Sequence, residues 1–199
     1  MVARALGDPI IIGHSMGGLL AQKIAEVDDP PAVVCVAPAG PRGIFAASGN
    51  MKELLKESAQ YLPAALLQLP MPPGKEATLR LAFNRLPAED HDRVYAALTP
   101  ESGRQAFDLM LAGYPVDASK VTAPMLVIGG SDDRLTPMPM VHKIVERYHA
   151  EFHEYRGHGH MILFEPGWER PAGDITAWLD RTVGTGTVPA QQPVGTAAP

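Results

Sequence analysis

The sequence predicts an α/β fold, a parallel β-sheet flanked by helices, and three observations lead to it. Short apolar runs without polar alternation recur at residues 10–12, 32–36 and 125–128, as expected of parallel strands covered on both faces. Segments of helical spacing separate them. Residues able to do chemistry, Ser15, Asp133 and His160, each follow a predicted strand directly, at the end where open α/β sheets place their sites.

Gly7-Asp8-Pro9 turns the chain into the first strand, and residues 2–6 supply only the last turn of a helix before it. The run Ile10-Ile11-Ile12-Gly13-His14-Ser15-Met16-Gly17-Gly18 then reads as strand, sharp turn and helix with Ser15 at the apex. Gly13 and Gly17 are expected to remove side chains that would collide at the turn. The helix presents apolar positions at Leu20, Ile24 and Val27, and its positive end points at Ser15. Its first free amide, that of Met16, can face an oxyanion. Asp28-Asp29-Pro30-Pro31 breaks the helix, and residues 32–36 form a second strand, parallel and adjacent to the first through a right-handed crossover.

From residue 37 to 120 the pattern is helical and proline-punctuated, with no strand signal. Met51, Leu54, Leu55, Ser58 and Leu62 predict one helix and residues 88–98 another; Thr99 should cap a third that runs through Leu111. This stretch, about 39–121, reads as a helical lid over the end of the sheet that carries Ser15, and its Met and Leu content favours an apolar cavity. The strand at 125–128 leads into Gly130-Ser131-Asp132-Asp133-Arg134-Leu135-Thr136-Pro137. A helix at 141–148, a more polar strand at 151–155 near the sheet edge, the loop carrying His158 and His160, and a helix at 174–182 with Ile175, Trp178 and Leu179 inward complete a core over 1–183. Residues 184–199, uncharged and rich in Gly, Pro, Thr, Ala and Gln, predict a disordered tail.

The chain has 199 residues, 46% hydrophobic and 20% charged, one domain's worth with a sizeable core. A net charge of -5 and a pI near 5.8, without a Lys/Arg cluster, argue against a nucleic-acid or anionic-membrane partner. The opening residues lack the apolar segment of a signal peptide, and no run approaches the roughly 20 residues that span a bilayer, so a cytoplasmic protein is expected. The single cysteine, Cys35, lies in an apolar strand and reads as a buried core residue with no partner for a disulfide.

A serine hydroxyl is a weak nucleophile at neutral pH. It needs a base within hydrogen-bond reach, and that imidazole needs a carboxylate to fix its tautomer. Ser15, Asp133 and His160 meet these needs in the order expected when the serine stands on a strand-turn-helix elbow, with Asp132 as the competing acid. His14 is expected to pack or hydrogen-bond beneath the turn, and Glu165 to start or orient the final helix. His158 and His160 lack a third ligand of fitting spacing, so no metal is expected, and no cofactor either.

The elbow, the acid loop and Gly159-His160 followed by Glu165-Pro166 together resemble the α/β-hydrolase fold family, in its esterase, lipase and lysophospholipase-like branch of serine hydrolases. The resemblance covers residues 6–179 and implies the C-terminal part of that fold, with Ser15 as nucleophile, His160 as base, Asp133 as acid and Met16 as oxyanion donor. The implied activity is hydrolysis of a small-molecule carboxylic ester with an apolar acyl group; a perhydrolase or carbon-carbon hydrolase would use the same three residues. The family also carries roughly four further strands before the serine strand, and a loop after one of them gives a second oxyanion amide, worth a factor of roughly 10² to 10³ in turnover. Nothing before Leu6 supplies either, which predicts a fragment, a mis-started reading frame or a degenerate copy, with the serine strand as a bare apolar edge. The alternative to an enzyme is thus an N-terminally truncated, non-catalytic remnant.

Overall fold

The computed structural model of the chain describes residues 7–44, 63, 66–67, 69–107 and 113–184. The expected turn at 2–6, the helix through Met51 to Leu62 and the tail beyond Gly184 lie outside the described residues. Strand β1 (Ile11–His14) runs into helix α1 (Met16–Asp28), and strand β2 (Val33–Val36) follows. The inserted region contributes β3 (Pro70–Met71), α2 (Lys75–Leu81), α3 (His91–Ala96), β4 (Glu101–Ser102) and α4 (Gly103–Phe107). The chain returns to the sheet with β5 (Met125–Gly130), α5 (Met138–Tyr148), β6 (Glu151–Tyr155) and α6 (Glu169–Val183).

The main sheet has the order β1-β2-β5-β6, and every pairing in it is parallel. Ile11 pairs with Val33, and Val33 with Met125, so the apolar runs are stacked in register. The absence of alternation in β2 and β5 now has its cause. Val33, Cys35, Met125 and Val127 face α1 and α5, where they meet Ala21, Ala25, Val141 and Ile144. Val34, Val36, Leu126 and Ile128 face the other way, onto Ile162, Ile175 and Trp178 beside α6. Cys35 is fully buried, as its strand context predicts. Strand β6 is the polar edge that its sequence suggests, with Tyr155 as its buried residue.

Helix α1 differs from its expected face. Leu20 and Val27 point outward, about half exposed, and the residues turned to the sheet are Leu19, Ala21, Gln22 and Ala25. Ala21 and Ala25 let the helix lie close on β1 and β2, and Leu19 is the one large apolar side chain of the helix that is fully buried. The buried Gln22 donates from Nε2 to the carbonyls of Gly18 and Ala39, tying α1 to the loop after β2.

Among the described residues, the stretch between β2 and β5 is helical but not strand-free. A two-residue antiparallel ladder pairs Pro70 with Ser102 and Met71 with Glu101, so Glu101 lies in a strand and α4 begins at Gly103 without Thr99 as its cap. The helix expected at 88–98 is a 3-10 turn, Ala88–Asp90, continuing into α3. Ala82, Phe83, Leu86 and Val94 form a separate apolar cluster that packs on Leu135 and Met161, residues of the two loops at the carboxyl ends of β5 and β6. Among the described residues no helix is long and apolar enough to cross a membrane.

Candidate active site

Ser15 stands between β1 and α1 with φ 55 and ψ -119, a backbone conformation that L-residues rarely adopt. Such a residue costs about 1–3 kcal/mol, so its surroundings must hold it. They do so through the backbone. The Ser15 amide donates to the Val36 carbonyl at 2.9 Å, and the Ser15 carbonyl accepts from the Gly18 and Ala39 amides, both at 2.9 Å. Gly13 is required by contact: a Cβ there would stand 2.1 Å from the Gly17 carbonyl oxygen. Gly17 itself faces open space, contrary to expectation, and the second crowded position is Gly18, where a Cβ would meet Pro38 at 2.8 Å. The Met16 amide heads α1, where the helix has no internal acceptor for it.

Asp133 and His160 meet across the ends of β5 and β6, with His160 Nδ1 2.9 Å from Asp133 Oδ2. Both side chains are essentially inaccessible, 4% and 0% exposed. Since a carboxylate only accepts, Nδ1 is the donor of this hydrogen bond. The rest of Asp133 is saturated. Oδ1 accepts the Leu135 and Thr136 amides at 2.8 and 2.9 Å, and Oδ2 accepts the Thr136 hydroxyl at 2.5 Å. Burial pushes the Asp133 carboxyl up, but the hydrogen bond and charge of His160, with Thr136, outweigh it and hold the group below the usual carboxylate range.

Asp132, one residue earlier, faces elsewhere. Its carboxylate pairs with Arg85 and accepts the Ser131 hydroxyl, and its carbonyl accepts Asn84 Nδ2. The inserted region therefore grips the acid loop through Asp132, while Asp133 turns inward to the histidine. The two loops are also laced together: the Asp132 amide donates to the His158 carbonyl at 2.9 Å, and the Gly157 amide to Ser131 Oγ at 2.9 Å.

The other histidines divide their roles. His14 Nε2 donates to the His160 carbonyl at 2.8 Å, with the rings 4.8 Å apart, so it bridges the serine turn to the histidine loop. Burial, then the proximity of His160, lowers its pKa and keeps it a neutral donor. His158 turns away from His160, its Nδ1 3.2 Å from Glu165 and its ring edge-on to Tyr155. The Glu165 carbonyl accepts the Trp168 amide at 3.1 Å just before α6, and its carboxylate turns back to the amides of Gly159 and Met161. Thr136 and the backward reach of Glu165 were not apparent from the sequence. The only signals were a threonine three residues after the acid and the Glu-Pro pair after Gly-His.

Known proteins match the same architecture. The family model described as Serine aminopeptidase, S33 matches residues 2–167. A monoacylglycerol lipase of Mycolicibacterium smegmatis is 25% identical over 177 residues, which cover 85% of this chain and 61% of that protein. This chain thus spans about three fifths of the length of that curated relative. The crystal structure of Paleococcus ferrophilus monoacylglycerol lipase superposes with a TM-score of 0.62 at 25% identity, covering 91% of this chain and 72% of that one. A thermophilic esterase from Thermogutta terrifontis superposes with a TM-score of 0.64 at 19% identity, over 91% of this chain and 69% of that one, a likeness of fold. The chain belongs to the Serine aminopeptidase, S33 family, a family of serine hydrolases on the α/β-hydrolase fold.

Proposed function

We propose that the protein hydrolyses carboxylic esters with an apolar acyl group, of the monoacylglycerol kind, through an acyl-enzyme on Ser15. The observation that carries this reading is the buried His160–Asp133 pair, 2.9 Å apart, on the same rim of the sheet as the strained Ser15 turn. Ser15 Oγ attacks the ester carbonyl carbon while His160 Nε2 takes its proton. Asp133 holds the imidazole by Nδ1 and offsets the positive charge it gains. The tetrahedral oxygen forms its hydrogen bond with the Met16 amide. Collapse breaks the bond to the alkoxy oxygen, which leaves as the alcohol with the proton from His160. Water, deprotonated by the same nitrogen, then cleaves the acyl ester and restores Ser15.

Residues 39–121 act as a lid insertion on this core. The cluster around Phe83 and Leu86 rests on Leu135 and Met161, next to Asp133 and His160 in chain and space, and Leu66, Leu67, Leu69 and Leu98 are exposed on the inserted region. An acyl chain is the ligand such a surface suits. The test is hydrolysis of a p-nitrophenyl ester series from acetate to decanoate by the wild type and Ser15→Ala. Turnover that rises with acyl length and vanishes in Ser15→Ala is expected. Soluble, folded wild type that cleaves none of the series would contradict the reading and favour a non-catalytic chain.

A further inference from the structure

His160 lies on a loop, between the end of β6 at Tyr155 and the start of α6 at Glu169, so neither a strand nor a helix fixes its backbone. A general base displaced by about 1 Å loses on the order of 10²-fold in rate, and the loop must be held to better than that. One side chain holds it from both sides. The Gly159 amide donates to Glu165 Oε2 at 2.7 Å, and the Met161 amide donates to Glu165 Oε1 at 3.2 Å. The two amides flanking His160 thus end on the two oxygens of a single carboxylate, itself 1% exposed.

The local chain is shaped for this contact. The amides of Phe164 and Glu165 both donate to the Met161 carbonyl, at 2.6 and 3.1 Å, and this tight turn brings Glu165 back under the loop. Position 159 lies against the same carboxylate: a Cβ there would stand 2.8 Å from Asn84 Oδ1 and 3.0 Å from Glu165 Oε1, so a side chain would push on the clamp. His158 Nδ1, at 3.2 Å from Oε2, adds a third polar neighbour. From the far side, His14 holds the His160 carbonyl at 2.8 Å, so the segment is also tied to the turn at Ser15.

We infer that Glu165 is a positioning residue for the base: its carboxylate clamps segment 159–161 and so keeps the His160 imidazole on Asp133 and aimed at Ser15. The inference rests on the hydrolase reading above. It requires a carboxylate specifically. Glutamine offers one acceptor oxygen and turns an N–H₂ toward the other amide, where two donors meet. Aspartate is a methylene too short to reach both.

The experiment compares wild type and Glu165→Gln in p-nitrophenyl butyrate hydrolysis, with kcat expressed per serine titratable by a fluorophosphonate, so that unfolded protein is not counted. Amide hydrogen exchange of the wild type is followed by NMR at Gly159 and Met161. The clamp predicts a kcat per titrated site about 10-fold lower in Glu165→Gln with KM within about 2-fold, and wild-type exchange at both amides at least about 100-fold slower than in free peptide. A kcat per site unchanged in Glu165→Gln overturns it. So does free-peptide exchange at either amide, a measurement that stands even where the variant does not fold. Wild type that takes up no fluorophosphonate sinks the hydrolase reading and the positioning role together, whereas active wild type with an equally active variant sinks the clamp alone.

Discussion

Around His160, at the β5 and β6 side of the sheet, two buried carboxylates and a second imidazole converge on one loop, and a threonine hydroxyl holds the first of those carboxylates. Around Ser15, at the β1 side, support comes from backbone hydrogen bonds and close glycine contacts, and β1 and α1 carry apolar side chains in the open: Ile12, Leu20 and Val27 are 53%, 51% and 47% exposed. The difference follows from where the residues sit. A base on a loop has no ladder to fix it and needs side chains, whereas a nucleophile at a strand-helix junction inherits its position from the sheet and the first turn of the helix. The proposed catalytic power should therefore be sensitive to side-chain changes on the histidine side and tolerant of them on the open face of β1 and α1.

The largest expected effect is at Asp133. Asp133→Asn leaves a group of the same shape that can no longer accept the Nδ1 proton as a charge, and kcat should fall by about 10⁴. The same variant should change acid behaviour. A carboxyl held below its ordinary value of 3.8 adds stability above that pH and loses it as pH falls through the lower folded value, so wild type should lose stability below about pH 3.8 more steeply than Asp133→Asn. Urea melts from pH 5 to 2.5 measure this, and parallel slopes would contradict it. Thr136→Val removes one of the donors to Asp133 and leaves its oxygen short of a partner; a loss of about 10-fold in kcat, near 1.4 kcal/mol, is expected from ester kinetics.

On the other side, the paired change Ile12→Lys and Leu20→Glu should alter unfolding free energy by no more than about 0.5 kcal/mol while raising solubility, since both side chains already face solvent. Loss of the fold in that variant would contradict the solvent-facing placement of the two side chains. The smallest effect is at Cys35. Its thiol is fully buried, pushed up to about 12 by burial and bonded to the Gly18 carbonyl, so a maleimide should leave folded protein untouched and react only after denaturation.

Strands β2 and β5 were legible in the sequence because burial on both faces forces an unbroken apolar run, and both are buried at every position, whereas β1 shares the run with Ile12 left exposed at the sheet edge. The turn at Ser15 was legible because the backbone geometry demands glycine at 13, and Asp133 and His160, which lie 2.9 Å apart, stood out as residue types that follow predicted strands. The inward face of α1 was not. Hydrophobic spacing weights Leu20, Ile24 and Val27, yet the buried residues are Leu19, Ala21, Gln22 and Ala25, two of them valued for their smallness and one for a buried amide. Glu165 and Thr136 act through hydrogen bonds to loop backbone and to a neighbouring side chain, which leave no periodic trace. The β3–β4 ladder is two residues long, below the length at which alternation can be recognised.

The account turns on Ser15 being activated by His160 and Asp133 and by no other carboxylate. Fluorophosphonate labelling followed by peptide mass spectrometry tests it in one measurement across wild type, Asp132→Asn and Asp133→Asn. The adduct should map to Ser15, form at a rate within a few-fold of wild type in Asp132→Asn, and form slower by orders of magnitude in Asp133→Asn. An adduct on another residue, or a rate that collapses in Asp132→Asn and survives in Asp133→Asn, would contradict it.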